Sequence, residues 1–180
     1  MRRAPGLAAL GLAALWIQGT LATLAPGFVF PDLVFLGVVG VAIAVGGAEG
    51  LLVAAAVGYA MDFLTSALLG QHALLLVGAY AATRVASLRL NLLRPVPRVV
   101  FVAVLSLIYD LGFVGVGRLF TEVPLDVEWI FVRRLLVHAL LNVLFAPVVV
   151  AIVQRASAVL AGEDEPGRRS LRVEPRERVL

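Results

Sequence analysis

Residues Pro31 to Tyr80 read PDLVFLGVVGVAIAVGGAEGLLVAAAVGYAMDFLTSALLGQHALLLVGAY. Three apolar segments follow one another here, separated only by Gly46-Gly47 and by Gly70-Gln71-His72. Glycine pairs and Gly-polar steps of this kind break helices, so the stretch predicts three short-linked helices. In the second of them a carboxylate, Asp62, stands among apolar residues, one helical turn after Gly58.

The rest of the chain extends that pattern. Hydrophobic residues make up 61% of the 180, charged residues only 15%, and the mean hydropathy is +1.00. Such a composition lies outside the range of soluble globular domains. Since a helix crosses the hydrocarbon with about 20 apolar residues, the chain has room for about six spans. No soluble portion is large enough for an active site.

The fold class expected is therefore all-α: a polytopic transmembrane bundle of about six helices. They are placed at about 4–25, 33–45, 50–69, 73–86, 99–117 and 129–154, within a transmembrane domain spanning 1–156. A charged tail at 157–180, which contains Gly and Pro, buries too little apolar surface to fold alone. Met1-Arg2-Arg3 and the apolar run behind it are read as a first span instead of a cleaved signal, because the run is too long and Trp16-Ile17-Gln18 interrupts it. Pro26-Gly27 is expected to end that span, and Pro147 to kink the last one.

All 15 basic residues are arginine, and the formal charge is +3. With both termini inside, Arg118, Arg133 and Arg134 are the only arginines left on the outer side. Arg84, Arg89, Arg94 and Arg98 lie in one connection, broken by Pro95 and Pro97. The bias places that connection, the N-terminus and the tail in the cytoplasm, and the acidic connection Thr121 to Glu128 outside. The absence of cysteine excludes disulfides, thiolate metal sites and cysteine nucleophiles. Two histidines in different segments are a weak basis for a metal site, so no metal, cofactor or catalytic group is expected.

Pro31-Asp32-Leu33, Gly58 followed four residues later by Asp62, Gly70 eight residues further on, and Tyr80 near the end of the fourth helix together resemble the MreD family of rod shape-determining proteins. The Tyr109-Asp110 pair, the six-helix layout and the short charged tail are similar to that family too. The chain departs from it at Tyr59-Ala60-Met61 and at Ser66-Ala67, where a further glycine is more usual. The resemblance implies a non-enzymatic subunit of the cell-wall elongation complex in the bacterial inner membrane. It implies MreC, RodA with its transpeptidase and the MreB filament as partners, beside the lipid bilayer and without nucleic acid. It also implies a fold similar to the substrate-binding S-components of energy-coupling factor transporters. A vitamin-binding S-component is accordingly the alternative function, and would require a polar pocket near the outer face; the short turn at Gly70 speaks against one. An enzyme acting on lipid-linked substrates would need paired carboxylates with a histidine at a membrane face.

Each buried charge needs a partner or a role, because a charge at a helix centre costs about 2.5 to 3.5 kcal/mol on insertion scales. By the helical rise, Asp62 and Asp110 lie roughly 10 Å below the outer end, Arg133 and Arg134 roughly 6 to 8 Å, and His138 roughly 14 Å. One layer thus holds both signs, and the expectation is a single polar cluster of Asp62, Asp110, Arg133, Arg134, His138 and Asn142 locking helices 3, 5 and 6. The alternative for the arginines is to snorkel to the headgroups. Pro31, Asp32, Gly58, Asp62, Gly70 and Tyr80 are the motif residues for partner contact or architecture. His72 is expected at the interface without a role, Trp129 in an aromatic belt, and Trp16 and Tyr59 in packing. Small-residue surfaces at helix 1, at the short helix 2, or around Gly58 are expected to receive a partner's transmembrane helix.

Overall fold

The computed structural model describes residues 3–25, 29–65, 68–120 and 129–162. The described chain forms α1 (Ala4–Leu24), α2 (Leu33–Ala44), α3 (Ala48–Thr65), α4 (Gln71–Arg89), α5 (Pro95–Phe120) and α6 (Trp129–Leu160). The expected turn at Pro26-Gly27, the Ser66-Ala67 departure, the acidic connection 121–128 and the tail from 163 lie outside the described residues.

Four of the six helices, α1, α3, α5 and α6, are long and apolar enough to cross a membrane. The other two differ from the expected spans for separate reasons. Twelve-residue α2 has a rise of only about 18 Å, against a hydrocarbon thickness of about 30 Å. Helix α4 has the length but carries Gln71, His72, Arg84 and Arg89.

Shortness suits α2 to the centre of the bundle. It is apolar on every side, as a largely enclosed helix must be, and is buried at Val34, Phe35, Leu36 and from Val38 to Ala42. It packs chiefly on α6 and α4, with α1 completing the enclosure. Gly40 permits the closest of these approaches, since a Cβ there would lie 2.9 Å from Cβ of Val153 on α6. The outer surface has the opposite character: Trp16, Phe63, Leu64, Leu119, Phe120 and Trp129 are all exposed, as lipid-facing side chains are.

Helix ends move for identifiable reasons. Helix α5 begins at Pro95, not at 99, because Pro95 and Pro97 fall in its first turn, where a missing N–H leaves no intrahelical bond unmade. Helix α6 continues through Pro147 and past the expected end at 154, held by Val153 and Ser157, both buried, and by Leu160 against Gly6 of α1. The helix thus runs past residue 156, where the transmembrane domain was expected to end. Trp16 and Tyr59 are not packing residues; they are 74% and 54% exposed.

Candidate functional site

The Gly58, Asp62 and Gly70 spacing builds a tight α3–α4 hairpin. Helix α4 starts at a glycine, Gly70, which supplies no capping side chain and takes the left-handed conformation at φ +91°. Asp62 supplies the cap from the neighbouring helix. Its carboxylate accepts the backbone N–H groups of Gly70 (2.9 Å), His72 (2.7 Å) and Ala73 (3.3 Å). These are orphan donors of the first turn, which a membrane cannot hydrate. The negative charge also meets the positive end of the α4 dipole. Gly58 makes the arrangement possible: a Cβ there would lie 2.6 Å from Ala73 Cα, so α3 and α4 touch backbone to backbone.

Nδ1 of His72 also lies 2.8 Å from Asp62 Oδ1. His72 is thus a buried partner of Asp62, correcting its expected place at the interface. The cap draws Gln71 and His72 into α4, which starts two residues earlier than expected.

The same logic holds the ends of α2. Asp32 is its N-cap, accepting from Phe35 N–H at 2.9 Å. Gln18 of α1 accepts from Leu33 N–H (3.0 Å), and Asn142 of α6 accepts from Asp32 N–H (2.7 Å). Asn142 in turn donates to Ser106 Oγ of α5 at 2.7 Å, so three surrounding helices grip one helix end. At the other end the Tyr80 hydroxyl shares its proton between the carbonyls of Val45 (3.0 Å) and Gly47 (2.9 Å). Arg84 donates to the Ala42 carbonyl at 3.0 Å. Arg84, expected near the end of the fourth helix at the start of the arginine-rich connection, stands on α4 and caps α2. Glu49 does for α1 what Asp62 does for α4, accepting from the N–H groups of Arg3 and Ala4.

The single polar cluster expected from depth resolves into separate contacts. Asp62 pairs with His72, Asp110 with His138 (2.8 Å), and Asn142 with Ser106 and Asp32. Asp110–His138 does join α5 to α6, but Asp62 joins α3 to α4. Arg133 and Arg134 are exposed, and neither forms an ion pair with a described residue. Both stand in the first turns of α6, where a long side chain is able to extend past the helix end. Histidine's shorter side chain reaches only its facing helix.

A polar cavity of about 590 Å³ opens where α1, α3 and α5 finish and α2, α4 and α6 begin. Asp32, His72, Tyr109, Asp110, Arg134 and His138 contribute its polar groups, with Gln18, and Phe113 and Phe131 form aromatic wall. A second hollow, about 200 Å³, lies on the side of the bundle between α1 and α6, over Gly37 of α2. It is lined only by apolar residues and glycines. Among the described residues no three His, Asp or Glu side chains converge as metal ligands. The sequence reading did not single out Gln18 or Ser106; an isolated polar residue in an apolar helix was the available signal. No protein family, curated protein or solved structure matches the chain.

Proposed function

We propose that this chain is a non-enzymatic inner-membrane subunit of the bacterial cell-wall elongation complex, one that holds the transmembrane helix of MreC beside RodA and its transpeptidase. The observation that carries the proposal is the lateral apolar slot between α1 and α6. Its floor is Gly37, where an added Cβ meets nothing within 4 Å, and its lips include the half-exposed Ile17 and Ile152. An open small-residue floor with apolar walls is what close helix approach in a bilayer requires. The face around Gly58, the other groove considered, is filled by Ala73 of the same chain and is closed to a partner.

The motif from Pro31 to Tyr80 supports this reading indirectly. Its polar residues are used within the chain, capping helices, so the motif builds a rigid frame and leaves the slot as the receiving surface. The chain has no cysteine, so Ile152→Cys introduces a unique thiol. Paired with single cysteines along the MreC transmembrane helix, it is expected to give a disulfide at positions one helical turn apart. No disulfide from Ile152→Cys, with crosslinks formed only from single cysteines placed on the α3 or α5 surface, would overturn the placement.

The polar cavity favours a second reading, a membrane component that binds a small molecule as transporter S-components do. The short turn at Gly70 does not close the cavity, because most of its described lining residues, from Tyr109 to Val114 and from Phe131 to His138, stand on α5 and α6.

A further inference from the structure

We propose that the cavity at the end of the bundle binds a small zwitterion: a primary ammonium group held by Asp32 and Tyr109, joined through a few atoms to an anionic group held by Arg134. The inference rests on the cavity and not on the lateral slot, so it stands or falls separately from a role in wall synthesis.

Tyr109 is the first reason. The residue lines the cavity, and its hydroxyl is buried yet has no hydrogen-bond partner among the described residues. A buried hydroxyl without a partner costs free energy, and nearly all such groups in folded proteins are satisfied. The ring is fixed by Phe35, with centroids 4.9 Å apart, so the hydroxyl is held in place rather than free to swing toward water.

Asp32 is the second. The residue is 4% exposed, and its carboxylate accepts from one described donor, Phe35 N–H. A carboxylate offers about four acceptor positions, so most of its capacity is unused by the fold. The other acid of the cavity, Asp110, has His138 at 2.8 Å. Asp32 lacks a comparable cation, and an ammonium group with three N–H donors can bond both its free oxygen and the Tyr109 oxygen. Phe113 and Phe131 add aromatic rings to the same wall.

Arg134 decides between a simple cation and a zwitterion. Arg134 lines the cavity without an ion pair to any described residue, and a guanidinium is a fork suited to a phosphate or carboxylate. A volume of about 590 Å³ lies in the usual range for small-molecule sites. Two sources can present this chemistry: a free aminoalkyl phosphate or amino acid, and the headgroup of phosphatidylethanolamine.

The test uses the full chain in phosphatidylglycerol nanodiscs, titrated calorimetrically with O-phosphoethanolamine, ethanolamine or inorganic phosphate. O-phosphoethanolamine is expected to bind saturably, and each half-molecule at least tenfold more weakly, by about the worth of one charged hydrogen bond. Tyr109→Phe removes an oxygen the fold does not use, and Asp32→Asn keeps the N-cap oxygen while removing the charge. Both, and Arg134→Gln, are expected to weaken binding by about tenfold while thermal unfolding without ligand stays near wild type. Competition by phosphatidylethanolamine in the disc assigns the site to the lipid headgroup; its failure to compete assigns the site to a free zwitterion. Absence of saturable binding in both arms, equal binding of inorganic phosphate, or wild-type affinity in all three variants would overturn the proposal.

Discussion

One oxygen of Asp62 lies 2.7 Å from the backbone nitrogen of His72 and 2.8 Å from the Nδ1 of the same residue, so a carboxylate on α3 fixes both the start of α4 and the ring of its second residue. The second oxygen takes Gly70 and Ala73. Replacing Asp62 by Ala strips the first turn of α4 of its acceptors at a buried position. The expected loss is about 3 kcal/mol or more, combining a lost cap with unsatisfied buried donors. Asp62→Asn is expected to lose less, since one oxygen remains. Equilibrium unfolding in mixed micelles checks the order; an Ala variant as stable as Asn would contradict it.

Two glycines make a matched pair of opposite expectation. At Gly58 a Cβ meets backbone, Ala73 Cα at 2.6 Å, which cannot swing aside. Gly58→Ala is expected to destabilise by about 1 to 3 kcal/mol through forced separation of α3 and α4. At Gly37 a Cβ meets nothing within 4 Å, so Gly37→Ala is expected to fold as wild type. If the slot receives a helix, Gly37→Leu reduces partner capture while leaving the unfolding curve unchanged.

Tyr80 tests the other end of α2. Its hydroxyl is the donor for two carbonyls, at Val45 and Gly47, where the helix stops and the chain turns at φ +78°. Tyr80→Phe leaves both acceptors short of a donor and is expected to cost about 1 to 2 kcal/mol. Faster hydrogen exchange at Val45 through Ala48 would localise the effect.

Asp110 and His138 are expected to be coupled, and Arg134 to be independent of Asp62. A double-mutant cycle on Asp110→Asn and His138→Gln should give an interaction of about 0.5 to 3 kcal/mol, the range for residues in contact. The cycle on Asp62→Asn and Arg134→Gln should be additive. A large coupling in the second cycle would restore the single cluster that depth alone suggested.

The helices were legible because apolar runs and glycine breaks are local signals: α1 and α2 end within one residue of the positions read from sequence. The partners of buried charges were less legible, for a physical reason. The helical rise put Asp62, Asp110, Arg134 and His138 at similar depths, but depth says nothing about the angle each presents around the bundle. Asp62 found its acceptor role eight residues away along the chain, at Gly70, because α3 and α4 form a hairpin. The Gly58 and Asp62 spacing was read as a surface for a neighbouring helix, which it is; that the neighbour is α4 of the same chain depends on the short turn. Tyr109 stood in the sequence as half of a motif pair, while its unpartnered hydroxyl becomes visible only once Phe35 and the cavity surround it.

The central proposal is a role in wall elongation, and cell width during depletion tests it most directly. The chain is depleted in its own rod-shaped host, and width is followed over several generations together with the pattern of new wall synthesis. The account predicts widening and rounding with loss of lateral synthesis, restored by wild type and by Gly37→Ala but not by Gly37→Leu. Unchanged rod shape after complete depletion would contradict it.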